Sequence, residues 1–413
     1  MCRSSNLASV GVVLMVVALG QISMAAQSID EAARAVAQRL ATAQILEGMD
    51  SGSWPEEAAF TGSIAAGMVG AYELTCEDTF RSSAELGADS ILSIAQGNFF
   101  GDEAFALTRL SQIAPDPGSN QWRTAVADYY RAVKSSGGTS GYVSAFESYE
   151  RSAAVFYMSH HVVAAYYVEA EDREIWRQGL IDSLSHIDDS SSFPVMALGA
   201  ATWALARTGA LDETPIAASG QGAAYWDAKT LSDLPGVLRD HQVPDGSPGA
   251  GSFYWQFGHA NDDHGYTEDT IFAARGLIAA SRISSDPNLG PAIVAARAAL
   301  LGGIGDDGKV SEQLSQEGLS YYAYAGEMLE VLSEMVVPGD IDVDGDVDSD
   351  DLAPLITLLI ESWDASDCSQ SCWCNGADLD RSGQVDEVDF QIMSDMWLED
   401  AGHEVPDTGE VGG

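Results

Sequence analysis

The chain has 413 residues, with 63 acidic against 19 basic side chains and a formal net charge of −44. That length allows a sizeable core and a second module, and a hydrophobic content of 46% argues for folding despite the charge. So negative a surface repels phosphate backbones and anionic lipid, which excludes nucleic-acid binding and leaves cations, neutral ligands and saline surroundings. Only Lys134, Lys229 and Lys309 are lysines, a balance suited to a salt-rich medium.

Residues 1–26 come first. Arg3, the apolar run from Val10 to Leu19 and the small-residue exit at Ala25 and Ala26 form the pattern of a secretory signal peptide. The run is shorter than the roughly 18 residues that a membrane span needs, and no later segment is long and apolar enough. The expectation is an exported protein, extracellular or at the cell surface, without a membrane span. Loss of Cys2 with the signal leaves Cys76, Cys368, Cys372 and Cys374. Cys76 stands alone on a helix and is expected to be a buried free thiol. One disulfide involving Cys368 is expected inside the C-terminal cluster, with its connectivity open. The Cys-x3-Cys-x-Cys spacing lacks the nearby fourth ligand that zinc requires.

From residue 28 to 336 the chain is Ala-rich, with apolar residues three and four apart over Ser63 to Leu74, Phe193 to Ala206, Thr270 to Ile283 and Tyr321 to Met335. That period predicts helices and an all-α module. A turn of small residues followed by a large one recurs six times, at Trp54, Phe100, Tyr142, Phe193, Phe253 and Val310, in steps of 46, 42, 51, 60 and 57. Steps of this size fit two helices each, so six helical hairpins of about twelve helices are expected. Ala and Gly at close spacing let helices crowd around an axis, which favours a closed ring.

The segments LRDHQVPDGSPGAGSFYWQ and GYTEDTIFAARGLIAASRI, and the earlier GMDSGSWPEEAAFTGSIAAGMVGAYELT, resemble repeats of the terpenoid cyclase and protein prenyltransferase α/α toroid. In that family a Gln and an Asp-Gly-Ser-aromatic turn precede each inner helix. The resemblance implies an (α/α)6 toroid, a fold that also carries six-hairpin glycoside hydrolases, polysaccharide lyases and non-catalytic domains. It does not imply the two named activities: Asn261-Asp262-Asp263 falls short of a cyclase Asp-x-Asp-Asp motif, and Cys76 has no Asp and His nearby to complete a prenyltransferase zinc site.

The richest turn runs from Phe253 to Asp269 and contains His259, Asp262, Asp263, His264 and Glu268 among aromatic residues. Rings stack on sugar faces and carboxylates serve as acid and base, so Asp262, Asp263, His264 and His259 are candidate catalytic groups, with Trp255 and Tyr266 as substrate-binding rings. Trp54, with Glu56 and Glu57, and Phe100, with Asp102 and Glu103, would add groups at the same rim; Trp54 and Glu57 are counted with the substrate-binding set. Two other readings stay open: the same residues as metal ligands, or as helix caps. His160 and His161, on one aromatic-rich helix, read as one facing in and one out. Glu147, Glu150 and Arg151 read as helix ion pairs, and Tyr321, Tyr322 and Tyr324 as core with a hydroxyl or two reaching a central cavity.

After Pro338-Gly339 the composition changes. Asp340, Asp342, Asp344, Asp346, Asp348 and Asp351 form one twelve-residue loop, and Asp378, Asp380, Ser382, Gln384, Asp386 and Asp389 a second, 38 residues on. Oxygen side chains fall at positions 1, 3, 5, 9 and 12, position 7 offers its backbone carbonyl, and glycine sits at 6 in each loop. That is the calcium-loop layout. Position 12 is Asp rather than Glu, and Pro338-Gly339 forbids a helix running into the first loop. Loop then helix, twice, closely resembles a type I dockerin over residues 339–398, which implies two Ca2+ sites and a cohesin-like or cell-surface partner. The loop pairs Ser349-Asp350 and Glu387-Val388 differ from one another, unlike those of a cohesin-binding pair. Residues 399–413 read as an acidic disordered tail. Two classes of function remain open: a secreted carbohydrate-active enzyme, a polysaccharide hydrolase or lyase tethered by its C-terminal module, or a non-catalytic extracellular binding or structural protein.

Overall fold

The computed structural model describes residues 28–95, 97–114, 118, 120–136, 140, 150–188, 190–217, 223–257, 265–284, 286–314, 318–336 and 385–392. Among the described residues twelve helices, besides a short one at Ala223–Trp226, build the two layers of the first module: α1 (Ile29–Ala43), α2 (Thr61–Thr75), α3 (Asp78–Ala95), α4 (Gly101–Gln112), α5 (Gln121–Ser136), α6 (Arg151–Tyr167), α7 (Arg173–Leu184), α8 (Pro194–Arg207), α9 (Leu234–Arg239), α10 (Thr267–Ser281), α11 (Leu289–Gly302) and α12 (Tyr322–Met335). Among the described residues β structure is limited to isolated bridges, Pro215 with Thr230, Gln242 with Phe253, Tyr266 with Gln313, and Ile304 with Val310.

Two layers follow from two hydrophobic patterns. The even-numbered helices are apolar nearly all round: α8 buries every residue from Pro194 to Ala206, and α2 every residue from Thr61 to Tyr72. A helix with no polar face belongs inside. The odd-numbered helices bury one stripe, as α3 does with Phe80, Ala84, Gly87, Ala88 and Ile91. In contact, α2 meets α4, α4 meets α6, α6 meets α8, α8 meets α10, α10 meets α12, and α12 returns to α2. The result is a closed (α/α)6 toroid, with α1, α3, α5, α7, α9 and α11 outside, as the repeat length and small-residue content predict.

Small residues bring the inner helices together. A Cβ placed on Gly67 of α2 would lie 2.0 Å from the carbonyl oxygen of Gly326 on α12, so two glycines meet backbone to backbone where the ring closes. Gly199 of α8 has the same relation to the backbone of Phe272 and Ala273 on α10.

The repeat turns join the outer layer. Gln44 donates from Nε2 to the carbonyls of Gly52 and Ser83, both at 2.9 Å. Gln242 does the same to Gly251 at 2.9 Å and Ala292 at 2.8 Å. In each case the glutamine fastens its turn to the next outer helix, and the aromatic that ends the turn, Trp54 or Phe253, is fully buried. The last such turn closes the circle. Gly308, at φ +72°, lies so near Ala35 of α1 that a Cβ would sit 2.2 Å from its carbonyl oxygen.

The structure corrects two expectations in this layer. Cys76 is not a free thiol but is disulfide-bonded, to a cysteine outside the described residues. It caps the end of α2 at φ +57° and is only half-buried, an end-of-helix position rather than a core one. Arg151 pairs with Asp188 at 3.0 Å rather than with a glutamate of its own helix, while Glu150 turns back to cap α6 through the backbone amides of Ser152 and Ala153.

Candidate functional site

The six inner helices run parallel, so their N-termini share one rim. Glu57, just ahead of α2, accepts hydrogen bonds from the amides of Tyr322 at 2.8 Å and Ala323 at 2.7 Å, the start of α12. Asp269, in the first turn of α10, accepts from the amide of Met196 in the first turn of α8 at 3.0 Å. The amides of Ser192 and Phe193 reach Glu150 and Ser152 at the start of α6. Converging N-termini carry the positive ends of the helix dipoles and favour carboxylates there.

At this rim opens a cavity of about 560 Å³, lined by Ser190, Ser191, Ser192, Phe193, Trp255, Gln256, Tyr266, Glu268, Asp269, Glu312 and Tyr324. Its size suits a few sugar units or a comparably sized ligand. Two elements meet to form it. The chain enters α10 through Gly265 and Tyr266, and residues 311–314 pair with it: the amide of Thr267 donates to the Glu312 carbonyl at 3.0 Å and that of Leu314 to the Gly265 carbonyl at 3.3 Å. This pairing places Glu312 beside Glu268. Aromatic walls stand around them, with ring centroids 6.3 Å apart for Phe193 and Trp255, and again for Trp255 and Tyr266.

Burial, with the Glu312 charge beside it, raises the Glu268 carboxyl to about 7. Deeper on the axis, burial, then Glu268 and Glu330, pushes Glu327 well above the carboxylate range. Asp102 is raised to about 7 by burial and by Glu103. Burial and the neighbouring Glu268 and Glu327 charges also raise the Tyr324 hydroxyl. Oδ1 of Asp102 and Oε2 of Glu327 are buried without a hydrogen-bond partner among the described residues. This end of the ring therefore holds protonated carboxyls at neutral pH, the state of a general acid.

The other half of the axis gathers the arginines. Arg275 is fully buried, 2.8 Å from Glu330 and 3.0 Å from Glu334, with its guanidinium 4.2 Å from the Trp203 ring centroid. Arg109 meets Glu73 at 2.7 Å, and Arg207 approaches Glu334 at 3.8 Å. Burial opposes the Glu334 charge, yet Arg275 and Arg207 outweigh it and hold this carboxyl at about 2.

Of the residues expected from sequence, Trp255 and Tyr266 line the cavity, and the Tyr324 hydroxyl's helix reaches it as anticipated. Trp54 does not. It is fully buried, its indole N–H donating to the Leu40 carbonyl at 2.9 Å, so it anchors a repeat turn and cannot stack on a ligand. Glu57 is occupied in capping α12. His259, Asp262, Asp263 and His264 lie outside the described residues, as do Asp340, Asp342, Asp344, Asp346, Asp348, Asp351, Asp378, Asp380, Ser382 and Gln384. Within the second loop, the Asp386 amide donates to Oδ2 of buried Asp389 at 2.8 Å, ahead of helical residues 387–392. His160 and His161 are both buried: the first packs on Phe105, Trp203 and Phe272 toward the ring, the second on Tyr130 and Trp176 toward the outer layer. Burial lowers both imidazoles to about 3. Glu312 was passed over because it follows a turn rather than opening a helix. Its alternation with Gln313 and Leu314 opposite Gly265–Thr267 is a bridge too short to announce itself.

No family model matches the sequence, and no curated protein does. Two solved structures are similar to the chain. A polysaccharide lyase shares 12% identity, with 66% of this chain and 88% of that one covered and a TM-score of 0.43. The Lin0763 protein from Listeria innocua shares 11% identity, with 74% and 97% covered and a TM-score of 0.44.

Proposed function

We propose that the toroid is a carbohydrate-active domain that hydrolyses an uncharged glycan. The observation that carries this reading is the meeting of Glu268 and Glu312 in one cavity walled by Phe193, Trp255, Tyr266 and Tyr324. Rings of this kind hold pyranose faces, and a paired acid and base is what glycosidic bond cleavage needs. Glu268, raised to about 7, gives its proton to the glycosidic oxygen as the bond from that oxygen to the anomeric carbon breaks. Glu312 takes a proton from the water whose oxygen forms the new bond to that carbon. Afterwards Glu268 has lost one proton and Glu312 has gained one, and exchange with solvent restores both.

Hydrolysis is favoured over lyase chemistry by the lining. Elimination from a uronate requires its carboxylate to be neutralised, and among the described residues that line the cavity there is no Arg or Lys. Asp269 and Glu312 there would repel such a substrate. A panel of neutral and uronate polysaccharides, assayed for new reducing ends and for unsaturated products, tests this. New reducing ends from a neutral glycan, lost in Glu268→Gln and Glu312→Gln, are expected. Binding without cleavage would instead favour the non-catalytic class, and unsaturated products the lyase.

We also propose that the protein is exported and that residues 339–398 form a dockerin-like module holding two Ca2+ ions and docking to a cohesin-like or cell-surface partner. Asp340, Asp342, Asp344, Asp348 and Asp351 would hold one ion, and Asp378, Asp380, Ser382, Asp386 and Asp389 the other, with the Asp346 and Gln384 carbonyls at position 7. Asp386 and Asp389, side by side at a helix start, fit that donor set. The ion would neutralise and rigidify an otherwise self-repelling loop.

A further inference from the structure

Five of the six inner helices start immediately after an aromatic residue. Phe60 precedes α2, Phe100 precedes α4, Phe193 precedes α8, Tyr266 precedes α10 and Tyr321 precedes α12. None of these side chains makes a capping hydrogen bond. Helix starts favour Ser, Thr, Asp and Asn, which do cap, so capping does not explain the aromatics. Core packing does not explain them either. Phe60 is 47% exposed, Phe100 49%, Phe193 46% and Tyr321 38%. Large exposed rings at one structural position, repeated around a ring whose N-termini share a rim, form a circle of apolar faces about the mouth of the cavity.

We infer that this aromatic rim is an extended binding platform for a single uncharged polysaccharide chain, which lies across the toroid mouth and dips into the cavity. The inference rests on the glycan reading of the cavity and adds its substrate class: a polymer many units long rather than a short oligosaccharide. Three observations select that occupant. Phe193 and Tyr266 belong both to the rim and to the cavity wall, so the platform continues the site rather than standing apart. The rim rings are backed by further aromatics, Phe100 by Tyr157, Phe193 and Tyr266 by Trp255, and Tyr321 by Tyr324, so stacking faces recur along the rim and run on into the cavity wall. The polar groups beside them in the chain are hydroxyls and carboxyls, which exchange hydrogen bonds with sugar hydroxyls, and no basic side chain among the described cavity-lining residues offers an anionic chain a partner.

The test uses the full-length protein with Phe60→Ala and Phe100→Ala, alone and together. Both side chains lie outside the cavity lining and are half exposed, and thermal melts confirm folding. Affinity electrophoresis in gels containing hydroxyethyl cellulose, xylan or galactomannan reads polymer binding. Hydrolysis of the retained polymer is compared with hydrolysis of a nitrophenyl disaccharide of the same sugar. Each substitution is expected to weaken polymer affinity about three- to tenfold, the range of a single aromatic stacking contact. It should also lower efficiency on the polymer by that much more than on the disaccharide. If the wild type binds and cleaves polymer, and both variants match it in chain-length preference, the rim inference is wrong while the cavity reading stands. If the wild type neither binds nor cleaves any glycan, both fall together.

Discussion

Replacing Gly67 by alanine tests the closed ring at its tightest seam. The added Cβ would lie 2.0 Å from the Gly326 carbonyl oxygen, 2.6 Å from its carbonyl carbon and 2.7 Å from its Cα. All three atoms are backbone, so no side chain can swing aside. An ordinary contact begins at 3.4 Å, and α2 and α12 would have to part by about 1.4 Å, the difference from 2.0 Å. Separation along a fully buried inner face loses dispersion contacts on both helices. Overpacking of this kind costs about 1–3 kcal/mol, and more where only backbone can yield. Alanine's better helix propensity returns about 1 kcal/mol, leaving a net loss of roughly 2 kcal/mol. Gly290 of α11 supplies the contrast, because nothing lies within 4 Å of a Cβ there and the same substitution should be neutral or stabilising by less than about 1 kcal/mol. Urea unfolding followed by circular dichroism measures both. Equal effects at the two positions, or a stabilised Gly67→Ala, would mean that the first and last hairpins do not meet as described.

Other expectations follow from the charges. Glu268→Gln should lower turnover about 10²- to 10⁴-fold, measured by reducing-end release, while glycan retention in affinity gels persists. The wild-type rate should fall as pH rises through about 7, because Glu268 acts as its protonated form and ionises there. Asp102→Asn should stabilise the protein at pH 8 but not near pH 4. The native carboxyl, raised to about 7, keeps its proton while the unfolded one loses it above 3.8, so wild-type stability drops between these values and is flat above. The gain, read by urea unfolding at several pH values, should grow to about 4 kcal/mol. Calcium titrated into the full chain should bind at two sites by calorimetry, the second weaker because Ser382 stands where a carboxylate could, and Asp340→Ala should remove the first.

The ring was legible because its signals repeat. Six small-then-large turns at steps of 42 to 60 residues precede inner helices starting at residues 61, 101, 151, 194, 267 and 322. The glutamine ahead of the turn at Trp54 and again at Phe253 performs one identical task in both places. The site was less legible for a related reason. Trp54 shares the small-then-large pattern of Phe100 and Phe193, but it lies buried under its turn as an anchor, as Phe253 does, whereas those two stand exposed directly at helix starts. The aromatics that face outward sit later, directly at the helix starts, where Phe60 and Tyr321 look like ordinary apolar periodicity. Glu312 owes its place to a bridge with a residue 47 positions earlier, from Gln313 to Tyr266, which no local pattern reveals. Cys76 looked like a lone core thiol since nothing in its neighbourhood names a partner.

The sorting of charge along the axis has one physical origin. Because the inner helices are parallel, their dipoles add, positive at the rim and negative at the opposite end. Arg109 lies in the last turn of α4, Arg207 ends α8 and Arg282 caps α10, all where helix carbonyls lack partners; Arg282 donates to the Glu334 carbonyl at 3.0 Å. With the arginines drawn to that end, Glu73, Glu330 and Glu334 find counter-charges there, enough to hold Glu334 at about 2 although burial still raises Glu330 to about 7. The carboxyls of the rim do not. Asp102, Glu268 and Glu327 are left with helix N-termini and each other, and burial keeps protons on them at neutral pH. An antiparallel bundle would mix both charges at both ends. The toroid's parallel inner layer instead gives it one acidic, proton-holding mouth, and that asymmetry is what makes acid catalysis on an uncharged substrate the chemistry this end can support.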